Sequence, residues 1–176
     1  EAPIVGGNVS LYNEGASGPI YPTPVIGMVG LLPDATRAGR LGFVEEGEAI
    51  ALVGPFAPSL AASELSKLRG EPLPDGLPDV DIEAVRDAQA AVRGAVRDGL
   101  IDSAHDIAEG GIATALAECA LAGSIGASVE LAADDAWKTC FGEAPGGFIC
   151  CGHAAALAQL GERTTVTVIG KVGGDR

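Results

Sequence analysis

Hydrophobic and polar positions change their period along this chain often enough to outline its elements. Pro24 opens an apolar run, Val25-Ile26-Gly27-Met28-Val29-Gly30-Leu31, whose continuity predicts a buried strand. Pro33-Asp34-Ala35-Thr36-Arg37 breaks it and marks a domain boundary, with residues 1–37 on one side and 38–176 on the other. A second apolar run at 49–53 is closed by Gly54-Pro55 and predicts another strand. Residues 59–69 favour a helix that stops at Gly70, and 70–80, rich in proline and glycine, read as loop. Asp81 then caps a helix whose apolar face is Ile82, Val85, Ala88, Val92 and Val96, with Gly99 placed to end it. Residues 100–105 predict a strand that runs into a loop at 106–111. A helix follows over 111–122, with Ile112, Leu116, Cys119 and Ala120 on one face and Gly123 at its end. Strands are expected at 128–131, 147–151 and 165–172. Short helices are expected after Asp134-Asp135 and over 153–161.

Strands and helices therefore alternate. The fold class expected is α/β or α+β, a mixed β-sheet packed with α-helices. No internal repeat is visible. Residues 1–23 read as loop, carrying Gly6, Gly7, Asn8, Asn13, Gly15, Gly18, Pro19 and Pro22.

Composition narrows the function classes. The 176 residues carry a formal charge of −13, a surface that repels phosphate backbones and anionic lipid. Neither nucleic acid nor a membrane is expected as a partner. A phosphate-bearing ligand would need helix N-termini, backbone N–H groups or a metal ion. Hydrophobic residues make up 47%, ample for a core, and aromatic residues only 4%, so the core is built from Ala, Val, Leu and Ile. The 26 glycines and 11 prolines are scattered, as in tight turns. Cys119, Cys140, Cys150 and Cys151 form no C-x-x-C pair and read as small buried hydrophobes. Cys150 and Cys151 are adjacent in a strand, so at most one is expected to face the core. No signal peptide is visible, and a cytoplasmic location is expected. The chain begins at Glu1, inside a motif, and reads as a fragment of a longer polypeptide.

Three stretches carry candidate chemistry. In Gly6-Gly7-Asn8-Val9-Ser10-Leu11-Tyr12-Asn13-Glu14 the glycines allow backbone to approach an anion, Asn8 offers an oxygen suited to Mg²⁺, and Ser10 offers a hydroxyl. The competing reading is a Gly-Asn turn with polar caps. The second stretch, His105-Asp106-Ile107-Ala108-Glu109-Gly110-Gly111, lies between a strand and a helix N-terminus, a favoured place for an anion. His105 and Asp106 are expected to point to opposite sides and not to form a dyad. The competing reading has Asp106 capping a turn, the glycines at positive φ, and His105 bonded to backbone. In 141–147 Glu143 reads as a ligand or, more simply, as an exposed turn carboxylate. His153 reads as solvent-facing at a helix start.

GGNVSLYNE, then PTPVIGMVGL, HDIAEGGIATALAE and FGE, in this order and spacing, resemble the phosphoribosylformylglycinamidine synthase family, in the C-terminal part of its synthetase subunit. That family lies within the aminoimidazole ribonucleotide synthetase superfamily, whose members pair an ATP-binding domain with a C-terminal α/β domain. The resemblance implies that 1–37 is the tail of an ATP-binding-type domain and 38–176 the C-terminal domain. It implies roles for Gly7 at ATP, Asn8 at Mg²⁺ and Ser10 at the formylglycinamide ribonucleotide substrate. It implies a glutaminase subunit and a small accessory subunit as partners, and ATP-dependent amidine formation in purine biosynthesis with glutamine as amido donor. The family's catalytic histidine lies in the other half of the subunit, so no catalytic residue is assigned here and the fragment alone is expected to be inactive. Ala108 stands where the family often has Ser, Ile112 where it often has Leu, and Gly146-Gly147 replace a more polar turn. The alternatives are another ATP enzyme of the superfamily, such as a selenophosphate synthetase or thiamine-phosphate kinase, and a non-catalytic nucleotide-holding or subunit-docking module.

Overall fold

A computed structural model describes residues 2–20, 23–76, 78–132 and 134–174. Of the positions read above as loop, Glu1, Tyr21, Pro22 and Leu77 lie outside them. Two compact units are present, Glu1–Pro33 and Asp34–Arg176.

In the first unit the only regular structure among the described residues is a hairpin. Strand β1 (Glu14–Gly15) pairs antiparallel with β2 (Gly18–Pro19), and Gly18 takes the φ of +108° that the tight connection needs. The strand expected from the run after Pro24 does not form. Val25 is 93% exposed and Val29 fully so, and no described residue pairs with the segment. Continuous apolar sequence records a need for a surface. It supplies neither the ladder partner nor the face that a strand requires.

The second unit is an α+β layer structure. Its strands are β3 (Ala49–Val53), β4 (Ser103–Asp106), β5 (Ala127–Val129), β6 (Phe148–Gly152) and β7 (Val166–Val172). They lie in the order β4-β6-β3-β7-β5, and all four pairings are antiparallel. The helices are α1 (Glu64–Leu68), α2 (Ile82–Arg97), α3 (Gly111–Gly123), α4 (Ala136–Phe141) and α5 (Ala154–Leu160).

Local sequence explains most of the helix ends. The Asp81 carboxylate accepts from Ala84 N at 3.0 Å and starts α2, and Gly99 turns the chain out at φ +66°. Asp135 accepts from the amides of Trp137 and Lys138 and starts α4. Helix α1 is shorter than the expected 59–69. Ser59 is held instead in a two-way backbone bridge to Glu143, and the helix begins only after Ser63, whose hydroxyl accepts from Ser66 N. Ile82, expected on the buried face of α2, is 74% exposed. The inward stripe starts later, at Ala88, and continues through Ala91, Val92 and Ala95, where the helix reaches the sheet.

Both faces of the sheet are covered, and this corrects the reading of the paired cysteines. One face packs Ile50, Ile149, Cys151 and Ile169 against Ile112, Ala115 and Cys119 of α3. The other packs Ala49, Ala51, Val53 and Cys150 against α2 and against Leu157 and Leu160 of α5. Successive residues of a strand face opposite ways, so Cys150 enters one core and Cys151 the other, and both are fully buried. Burial pushes both thiols up to about 12 and the Cys119 thiol up to about 11. Thiolate is the reactive form. Under native conditions half-buried Cys140 is therefore expected to react first with a thiol reagent, with the other three protected. After denaturation four free thiols are expected, and a count of two or fewer would contradict the arrangement.

Candidate functional site

The Gly6–Ser10 loop belongs to the first unit. Its residues are exposed and have no assigned turn or bend, so the Gly-Asn turn does not form. Asn13 Nδ2 donates to Ser10 O at 2.7 Å and fixes the C-terminal end of the loop. A Cβ built on Gly6 or Gly7 would meet nothing within 4 Å, and no described residue bonds the Asn8 side chain. Gly7 thus offers open backbone, Asn8 an uncommitted side-chain oxygen, and Ser10 an exposed hydroxyl.

Among the described residues, no group of three His, Cys, Asp or Glu side chains is placed to hold a metal. The loop carries no carboxylate, and its side-chain oxygens, the Asn8 amide and the Ser10 hydroxyl, are both neutral. Mg²⁺ keeps several waters and is bound through few protein ligands plus substrate phosphates. Asn8 fits that role as one ligand among several and fits no all-protein site.

The second unit holds a cavity of about 1040 Å³. Its walls are one side of α2 (Val85, Gln89, Val92, Arg93), the 78–81 loop, the 55–62 loop and the 143–147 turn. Its floor is the end of β4 and the start of β6, at Ala104, Asp106 and Phe148. Asp79, Asp81, Asp106, Glu109 and Glu143 all line it, against Arg93 as the one cation among the described lining residues. A polyphosphate entering unaccompanied would meet a repulsive field.

The 105–111 turn forms as a strand-to-helix connection. Gly110 and Gly111 take φ of +82° and +71°, as positive-φ glycines. The expected anion seat at this helix start is already filled. Glu143 Oε1 accepts from Gly110 N at 2.9 Å and from Glu64 N at 2.8 Å, so one carboxylate serves the starts of α3 and α1 together. Neither reading of Glu143, ligand or exposed carboxylate, anticipated this half-buried link. The partners lie 33 and 79 residues away, beyond any local pattern. The only sequence signal was a carboxylate inside a glycine-rich turn that had to approach another backbone.

His105 and Asp106 do meet, contrary to the expectation. His105 is 11% exposed, with Nε2 2.9 Å from Glu118 Oε2 and Nδ1 3.3 Å from Asp106 Oδ1. Asp106 is the last residue of β4, where the strand gives way to the turn and strict alternation ends. Among the described residues, His105 bonds two carboxylates and no backbone group, and Asp106 caps nothing. With both ring nitrogens engaged, His105 is an oriented bridge from β4 to α3. His153 is exposed at the start of α5.

Residues 45–176 match the family described as AIR synthase related protein, C-terminal domain. The PurL subunit of phosphoribosylformylglycinamidine synthase from Moorella thermoacetica is 50% identical over 137 residues, 75% of this chain and 18% of the relative. The PurL subunit from Parafrankia sp. is 42% identical over 145 residues, 82% of this chain and 19% of the relative. The chain thus spans less than a fifth of the length of these relatives. Among solved structures, T. maritima PurL complexed with FGAR superposes with a TM-score of 0.63 at 18% identity, covering 79% of this chain and 26% of that one. Hydrogenase maturation protein HypE in complex with ATP gives a TM-score of 0.53 at 21% identity, covering 80% and 46%. These two likenesses establish the shared fold.

Proposed function

This chain belongs to the AIR synthase related protein family through its C-terminal domain, and we propose that it is a C-terminal piece of the synthetase subunit of phosphoribosylformylglycinamidine synthase. The observation that carries this reading is the identity of half the aligned positions with a PurL subunit over 137 residues. The open Gly6–Ser10 loop supports it, with three different ligating chemistries within four positions.

In this reading 1–37 is the tail of an ATP-binding-type domain and 38–176 the C-terminal domain. The whole protein transfers the terminal phosphoryl group of ATP to the amide oxygen of formylglycinamide ribonucleotide. Ammonia, released from glutamine by a partner glutaminase subunit, then displaces phosphate and leaves the amidine. A small accessory subunit completes a cytoplasmic complex. Bound Mg²⁺ offsets charge on the triphosphate. Asn8 supplies it with one oxygen, Gly7 lets the backbone approach the nucleotide, and the Ser10 hydroxyl orients the substrate. Where a C–N bond must form, such positioning is a large part of the rate. The second unit contributes a rigid scaffold with no assigned catalytic group. No described helix is long and apolar enough to cross a membrane.

The test is an amidine assay with ATP, Mg²⁺, formylglycinamide ribonucleotide and ammonia, run on the full-length polypeptide and on the isolated 176 residues. Turnover is expected from the full-length protein and none from the isolated chain. Amidine formation by the 176 residues alone would overturn the division of labour proposed here.

A further inference from the structure

Helix α2 turns three arginines to solvent in one row, and none of their side chains has a partner among the described residues. Ala88, Ala91, Val92 and Ala95 face the sheet, and at about 100° per residue Arg86, Arg93 and Arg97 fall on the opposite side. Ile82, Gln89 and Ala90 share that side, and all six residues are exposed. The three guanidinium groups make no ion pair and no hydrogen bond with any described residue. Two further arginines extend the field. Arg37 donates to Arg97 O at the C-terminal end of the helix, and Arg163 Nη1 would lie 3.5 Å from a Cβ at Gly94.

An ordinary solvated helix face sets acids three or four positions from its arginines, because such pairs stabilise the helix. Arg93 has Gln89, Ala90 and Val96 at three of those positions and a like charge, Arg97, at the fourth. Arg97 has no acid at any of them, and Arg86 has one, Glu83. The repulsion between Arg93 and Arg97 costs the isolated helix stability. The whole chain carries 24 acids against 11 Lys and Arg, so five arginines gathered around one helix invert its charge locally. Packing does not explain the row, since the inward stripe of α2 is made of other residues.

We propose that the outward face of α2 is a docking surface for an acidic helix of a separate protein subunit, whose carboxylates pair with Arg86, Arg93 and Arg97. The spacing suits a helix. The arginines are seven and then four residues apart, so the row spans about 16 Å, and a helix packed antiparallel alongside matches it with acids spaced four and then seven apart. Arginine pairs with carboxylate through two parallel hydrogen bonds and is enriched at interfaces, where lysine is depleted. Exposed Ile82 and Ala90 add apolar contact at the same face. A face this polar suits a subunit that arrives and leaves, steered by charge, more than a permanently packed stretch of the same polypeptide. Nucleic acid and anionic lipid would extend beyond the row and meet Glu83 and Asp87 on its flank, in a chain of net charge −13.

The test is an NMR titration of the 176-residue chain at low salt. The probe is a helical peptide whose glutamates are spaced four and then seven residues apart, and the control is the same peptide with glutamine at those positions. The glutamate peptide is expected to shift the Nε–Hε signals of Arg86, Arg93 and Arg97, and the glutamine peptide to shift none. Replacing all three arginines, Arg86→Gln, Arg93→Gln and Arg97→Gln together, is expected to weaken binding about tenfold or more. Lys67→Gln, Lys138→Gln and Lys171→Gln together remove the same charge elsewhere and are expected to weaken it less than about twofold. The arginine variant is expected to melt within about 2 °C of the wild type or above it, because the row makes no pair within the chain and repels itself. Absent arginine shifts, or equal weakening by the arginine and lysine variants, overturns the proposal. So does tighter binding of a DNA duplex or of phosphatidylserine vesicles to the same row, or self-association of the chain that the arginine variant abolishes. An arginine variant that fails to fold, or melts more than about 5 °C lower, makes the row structural and overturns it as well.

Discussion

Gly111→Ala is expected to be among the most destabilising single changes in the chain. Gly111 opens α3 with φ +71°, where a side chain costs roughly 1–2 kcal/mol. A Cβ there would stand 2.7 Å from Gly142 O, 2.8 Å from Cys140 O and 2.9 Å from Phe141 C. All three are backbone atoms at the end of α4, so nothing flexible can give way. Overpacking of this kind adds roughly 1–3 kcal/mol. Together these terms approach about 4 kcal/mol, a large part of a domain's marginal stability. A fall in Tm of about 10 °C is expected at this chain length. Gly70→Ala is the control: φ is +68°, yet nothing lies within 4 Å of its Cβ, so only the backbone strain remains. Melts of the two variants within about 3 °C of each other would show that the α3–α4 contact is not the tight one described.

That glycine also marks how far the sequence could be read. Its positive φ was legible because two adjacent glycines at a strand-to-helix turn have few other uses. Its contact with α4 was not, since nothing local points to residues 140–142. The same division runs through the chain. Asp81 and Gly99 bounded α2 correctly because caps act within three residues. The strand predicted after Pro24 failed because pairing depends on a partner that the local pattern does not contain. Cys150 and Cys151 were misjudged because alternation says which residues share a face but not how many faces are covered. His105 with Glu118, and Glu143 with Gly110 and Glu64, join elements that only the tertiary fold brings together. The family, by contrast, was legible in short strings of glycine and polar residues, whose types are set by ligand chemistry more than by packing.

Asn8→Ala, introduced into the full-length protein, is expected to lower kcat by about a hundredfold while weakening nucleotide binding far less. The variant deletes one oxygen from the Mg²⁺ coordination proposed for the loop. A water can take that place, because Mg²⁺ retains waters readily. Binding is thus partly rescued, but a water does not fix the ion relative to the chain. Misplacement of reacting groups by about 1 Å costs roughly that factor in rate. Asn8→Asp keeps an oxygen and adds a charge beside the triphosphate, so it is expected to shift the Mg²⁺ dependence instead. Neither variant is expected to move the melting temperature by more than about 2 °C, since the loop is exposed and surface changes stay within about 0.5 kcal/mol. Wild-type kinetics at limiting Mg²⁺ in Asn8→Ala would remove the loop from the site. A large fall in Tm would make Asn8 a structural residue.

Grafting shows most directly whether this chain is an exchangeable part of a PurL-type synthetase. The chain replaces the matching stretch of the Moorella thermoacetica PurL subunit, to which it is 50% identical over 137 residues. ATP-dependent amidine formation is then measured beside the parent. Activity within about tenfold of the parent is predicted, because half the positions are shared and volume-conserving core differences are tolerated. A graft that folds and melts cooperatively, binds ATP, and yet forms no amidine would contradict the claim.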